Sequence, residues 1–163
     1  MNTAVTPPAS CAVDIEELEY LRHGDTSFIA RIYKPRGKGP FPAVAFAHGG
    51  TRVDGDRASS EAIHYPVAAS GVVIMSVEFR APPQASYPGS VADVNYAVRW
   101  LKLNAERFNS RPEMVGSMGT SSGGHLTVLA AMKPYDPRYA AIALEAAPAL
   151  DAKVPTDSAS RLP

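Results

Sequence analysis

The pentapeptide Gly119-Thr120-Ser121-Ser122-Gly123 holds the one serine of this chain with a glycine two residues away on each side. A serine hydroxyl is a weak nucleophile until its surroundings activate it. Glycines at these two places suit a sharp turn from strand into helix, where side chains would strike neighbouring backbone. Such a turn leaves the hydroxyl exposed at the carboxyl edge of a sheet. It also stands at a helix N-terminus, whose free N–H groups favour developing negative charge. Taken alone, the pentapeptide is equally a plain glycine turn. Its flanks separate the two readings, because residues 113–118 read as a strand and residues 122–132 as a helix of small and apolar residues.

A second run, His48-Gly49-Gly50, follows a short apolar segment and precedes the polar stretch 51–57. Glycines after a strand let the backbone approach a substrate and aim N–H groups at one point. Together with the N–H of Ser122, such donors would stabilise the oxyanion of an acyl-transfer intermediate, each contributing about 3 kcal/mol. The two runs occur in the order this chemistry needs, each at the end of a strand. The other histidines offer less. His23 precedes Gly24 in a turn, His64 lies in a crossover helix, and His125 lies one helical turn beyond Ser121, where packing or capping is expected. No Cys/His spacing suits a metal, so no metal and no cofactor is expected.

The elements that must position these residues alternate. Residues 15–22 and 27–34 read as a hairpin around Gly24-Asp25. Residues 43–47 and 72–77 are apolar without alternation, as strands buried on both faces are. Residues 59–70 read as a helix, with Pro66 implying a kink or break. Residues 90–108 form the most regular helix pattern, with Ser90 and Asp93 placed as a capping box. Residues 140–146 read as a further strand. The order implies an α/β fold, a mostly parallel sheet with helices on both faces. Residues 1–14 read as a leader, 15–150 as the domain and 151–163 as an irregular tail.

The bulk numbers narrow the class. The sequence has 163 residues, with sixteen basic residues balancing sixteen acidic ones. A neutral chain has no electrostatic footprint for nucleic acid. No apolar run is long enough to span a membrane. No signal peptide is legible, so a cytoplasmic location is the default expectation. The single cysteine, Cys11, leaves the fold independent of disulfides.

These motifs resemble those of the α/β-hydrolase superfamily, and within it the hormone-sensitive-lipase-like and feruloyl-esterase-like carboxylesterases. The matching pieces are His48-Gly49-Gly50, Gly55-Asp56-Arg57, Val77-Glu78-Phe79-Arg80, residues 88–100 and Gly119 to His125. The resemblance covers about residues 15–150. It implies Ser121 as nucleophile and an oxyanion hole at Gly49, Gly50, Thr51 and Ser122, in which Gly49 gives close backbone approach and the others give N–H groups. His48, Gly119 and Gly123 support the motifs. The family often has a third glycine where Thr51 stands, and a tyrosine at Phe79. It places the triad acid and base after the nucleophile, whereas only forty-two residues follow Ser121 here and His125 is their one histidine. The resemblance therefore implies a partial α/β-hydrolase fold, cut short at its C-terminus and acting on a small-molecule ester. An uncovered sheet edge would invite a homo-oligomer. A non-catalytic binding module and a prolyl-oligopeptidase-type peptidase fragment are the competing readings.

Overall fold

Two apolar runs without polar alternation form the centre of the sheet, because each is covered on both faces. They are β3 (Ala43–Ala47) and β4 (Val73–Val77). The computed structural model describes residues 10–50 and 55–144. Around this centre stand β1 (Val13–His23), β2 (Thr26–Pro35) and β5 (Val115–Gly119), in the spatial order β1-β2-β4-β3-β5. β4, β3 and β5 run parallel, while β1 and β2 form an antiparallel hairpin that joins β4 antiparallel. The sheet is therefore mixed. Its parallel half carries the motifs.

Helices cover both faces. Phe46, Ile74 and Tyr33 point towards α1 (Glu61–Ala69) and pack with Ala68. Ala45, Ala47, Met75 and Val77 point the other way, into a larger core with Val91, Val94 and Leu101 of α2 (Gly89–Leu103) and Leu126 and Ala130 of α3 (Ser121–Met132). The period of two along each strand thus sorts one sheet into two cores.

Several expectations need correction. α1 runs through Pro66 without breaking. β1 starts at Val13, and Cys11 already donates its N–H to the Ala69 carbonyl at 2.7 Å. The long helix ends at Leu103, and residues 105–108 form a separate 3-10 turn. Ser90 and Asp93 do not cap it. Pro88 occupies the N-cap position, and both polar side chains turn instead to the Arg80 segment, which offers stronger partners. Residues 140–144 are not a strand, because turn bonds to Asp136 and an Arg99 bond to the Ile142 carbonyl engage this stretch. Residues 145 and 146, and the tail from 151, lie outside the described residues.

His64 is buried in the α1 core, its ring 4.3 Å from that of Phe46 and 5.1 Å from that of Tyr33. Burial, with the Arg31 charge adding to it, lowers its pKa to about 4. The unfolded chain binds this proton near the ordinary value of about 6.5, whereas the folded chain refuses it until about 4. Stability is therefore present above pH 6.5 and lost as the pH falls towards 4. Denaturation of the chain and of His64→Leu across this range should show the native protein losing up to about 3 kcal/mol more than the variant. Parallel pH profiles would show that His64 is not held neutral.

Candidate active site

Ser121 is the first residue of α3 and has φ of +49°, a left-handed conformation that is unusual for a residue with a side chain. It is exposed. The strain is of order 1–3 kcal/mol and must be held by the surroundings. Two missing side chains permit it. A Cβ on Gly123 would lie 2.1 Å from the Ala47 carbonyl oxygen and 2.4 Å from that of His48. A Cβ on Gly119 would lie 2.6 Å from the Gly123 carbonyl carbon. The start of α3 therefore rests directly on the backbone at the end of β3. The expected strand-to-helix turn is present.

The same crossing brings the His48-Gly49-Gly50 segment to Ser121. A Cβ on Gly49 would stand 3.1 Å from the Ser121 Cβ. Gly49 donates its N–H to Thr120 Oγ1 at 3.1 Å. A threonine at an N-cap usually accepts from its own helix; Thr120 instead joins the two motifs. Gly49 thus gives close approach, and its N–H is already engaged rather than free for an oxyanion. Gly50, with φ of +122°, turns the chain out of the strand as glycine readily does. Thr51 lies outside the described residues. The N–H of Ser122, in the first turn of α3, has no intrahelical acceptor.

His48 supports the loop. Its Nδ1 donates to the Gly49 carbonyl oxygen at 2.7 Å, and its ring stacks on Phe79 at 4.6 Å. His125 is exposed, which corrects the expectation of packing. His23 binds Asp93 through Nε2 at 2.9 Å.

Charge fixes the far end of the loop. Arg57 donates through Nε and Nη2 to both carboxylate oxygens of Glu17, each at 2.9 Å, and through Nη1 to Glu78. Its guanidinium holds the Glu17 carboxyl below the ordinary range, and Arg31 adds to this. Glu78 in turn accepts the N–H of Ile29 at 3.0 Å. Sequence reasoning matched Gly55-Asp56-Arg57 and Glu78 as motif pieces but missed this network, since Glu17 lies forty residues away. A cleft of about 540 Å³ opens beside Gly49 and Ser122 and is lined as well by Thr26, Phe28, Pro82 and Gln84. Among the described residues no group of three metal-binding side chains is present.

A sheet with this elbow and this facing loop defines an α/β-hydrolase. The chain belongs to the BD-FAE family, which residues 31–155 match. It is similar to esterase LipC of Mycobacterium tuberculosis, 35% identical over 103 residues, or 63% of this chain and 26% of that protein. Carboxylesterase NlhH of the same organism is 30% identical over 138 residues, or 80% of this chain and 42% of its own. The solved structure of a bacterial heroin esterase superposes with a TM-score of 0.66 at 29% identity, covering 81% of this chain and 43% of its own. The chain spans less than half the length of these relatives.

The backbone contact at Gly123 generates a paired prediction. Gly123→Ala should cost at least about 3 kcal/mol of stability in urea denaturation, because its methyl group has two carbonyl oxygens in its place. Gly124→Ala, whose nearest contact would be 3.2 Å, should change stability by no more than about 1 kcal/mol, since alanine favours a helix. Equal losses would contradict the crossing described.

Proposed function

We propose that this chain carries the nucleophile and the oxyanion-binding half of a carboxylic ester hydrolase. Ser121 Oγ attacks the carbonyl carbon of a small-molecule ester. The carbonyl oxygen takes the negative charge and accepts hydrogen bonds from the N–H groups of Gly50, Thr51 and Ser122. Ser121 gives up its hydroxyl proton as the new C–O bond forms. Collapse of the tetrahedral intermediate breaks the ester C–O bond, and the alcohol leaves with a proton. The acyl group left on Ser121 is released by water as the acid, which returns a proton to Ser121. The observation that carries this reading is the strained, exposed Ser121 in contact with Gly49. The similarity to esterases and carboxylesterases supports an ester rather than a peptide as substrate.

Each of the four histidines of the sequence is otherwise placed. His48 holds the loop, His23 binds Asp93, His64 is buried beneath α1 and His125 is exposed on α3. None of them is assigned as the base. Loss of triad members in serine hydrolases leaves about 10³–10⁴-fold catalysis over water. That remainder comes from the oxyanion hole and binding, so the serine's own contribution is read on an activated ester with a good leaving group, where turnover by the chain by itself is slow. The outer edge of β5, unpaired among the described residues, supports self-association. No helix among the described residues is long and apolar enough to cross a membrane. The single cysteine is compatible with the reducing cytoplasm that we take as the setting.

The test is hydrolysis of p-nitrophenyl acetate by the chain and by Ser121→Ala. Release of p-nitrophenol above background that falls at least tenfold in the variant supports the reading. Identical rates in the two proteins overturn it.

A further inference from the structure

Asp93 is a fully buried carboxylate, yet it does not line the cleft beside Ser121. It lies in α2 and faces two other segments. One Asp93 oxygen accepts the backbone N–H of Arg80 at 2.8 Å, and the Arg80 guanidinium adds bonds of 2.9 Å from Nε and 2.7 Å from Nη2. His23 Nε2 donates to Asp93 Oδ1 at 2.9 Å. The Arg80 carbonyl is held in turn by Ser90 Oγ at 2.6 Å. A buried carboxylate with this many charge-assisted donors is rigidly fixed.

The two segments it holds both line the cleft, as two of its walls. His23 ends β1 and opens the hairpin turn, and its ring lies edge-on to Phe28 at 5.6 Å. Thr26, Ser27 and Phe28 form the wall that follows. Arg80 opens the segment whose Pro82, Pro83 and Gln84 form a second wall. Just past β4, Glu78 and Ile29 of β2 exchange hydrogen bonds of 3.0 Å, which ties the two segments at one end. Beyond that pair, among the described residues, no hydrogen bond links residues 26–28 to residues 82–84, whereas both segments reach Asp93. Resting on the ester reading of the cleft, we propose that Asp93 is a positioning residue. It sets the separation of the two walls, and so the size of the ester group that the cleft admits. His23 carries the hairpin wall, and Arg80 carries the other.

Each arm predicts its own response. Asp93→Asn puts an N–H₂ group against the Arg80 and His23 donors and should release both walls. His23→Leu removes only the hairpin arm. His23→Gln keeps an N–H near the place of Nε2 and should restore it. Amide exchange reads the walls at Ser27 and Phe28 on one side and at Gln84 and Ala85 on the other, with Val44 and Phe46 in β3 as reference. Exchange should quicken at least tenfold on both walls in Asp93→Asn and on the hairpin wall alone in His23→Leu. His23→Gln should match the native chain, and β3 should not change.

Selectivity is read with two neutral, non-hydrolysable amides, acetanilide and para-butylacetanilide, titrated while amide shifts are followed. The native chain should separate the two at least fivefold in affinity, and Asp93→Asn and His23→Leu by less than twofold. Quickened exchange in β3 as well as the walls would make Asp93 a general stability residue and overturn the proposal. So would unchanged walls, or unchanged discrimination between the amides. If Asp93→Asn does not fold, the His23 pair decides. If neither amide shifts Ser122, the ester reading of the cleft fails and the selectivity claim falls with it, while exchange still decides whether Asp93 couples the walls.

Discussion

The site depends on one steric constraint, the contact between the first turn of α3 and the end of β3. Gly123 sits where any side chain would meet the carbonyl oxygens of Ala47 and His48. This contact does three things at once. It forces the chain to turn within two residues of β5, which drives Ser121 to a positive φ. It lays the helix N-terminus, with its unsatisfied N–H groups, against the strand that leads into Gly49 and Gly50. It also places Thr120 where its hydroxyl can hold Gly49 instead of capping its own helix. If α3 were displaced from β3, Ser121 would lose both its strain and its facing loop.

Apolar packing and charge divide the work of holding this arrangement. The sheet centre is apolar apart from Ser76, and is closed on one face by α1 and on the other by α2 and α3. The rim of the cleft is organised by two ion networks. Arg57, next to Gly55 and Asp56, joins Glu17 to Glu78, and Asp93 joins Arg80 to His23 behind the segments that line the cleft. Desolvated charges are tolerated when every lone pair is satisfied, and a partner lost from such a set costs more than the pair gains. Networks of this kind therefore serve position more than stability. They fix loops that carry too little apolar surface to fix themselves.

The parts legible in the sequence were those governed by local backbone physics. Gly119, Ser121 and Gly123 could be read because a tight strand-to-helix turn demands small residues at fixed spacing. β3 and β4 could be read because strands covered on both faces lose their alternation. The parts that escaped were decided by distant partners. Ser90 and Asp93 have capping-box spacing, and nothing local shows that Arg80 outcompetes the helix N-terminus for both. Gly49 reads as an open donor until Thr120 is found beside it. His125 has the spacing of a packed residue on α3, yet it stays exposed beside a small cavity that it lines with Pro82, Ala85 and Tyr87. Pro66 reads as a helix breaker, but the hydrogen bonds on either side of it carry α1 through to Ala69.

The central claim is that position 121 is built to stabilise an anion. A thiol placed there measures this without any catalytic base. In a Cys11→Ser background, the rate of iodoacetamide alkylation of Ser121→Cys against pH gives the thiol pKa. Amides of the facing loop and the helix N-terminus should pull it at least one unit below the ordinary value of about 8.5. A pKa at or above 8.5 would mean that the residue meets no such donors, and the account of the site would not stand.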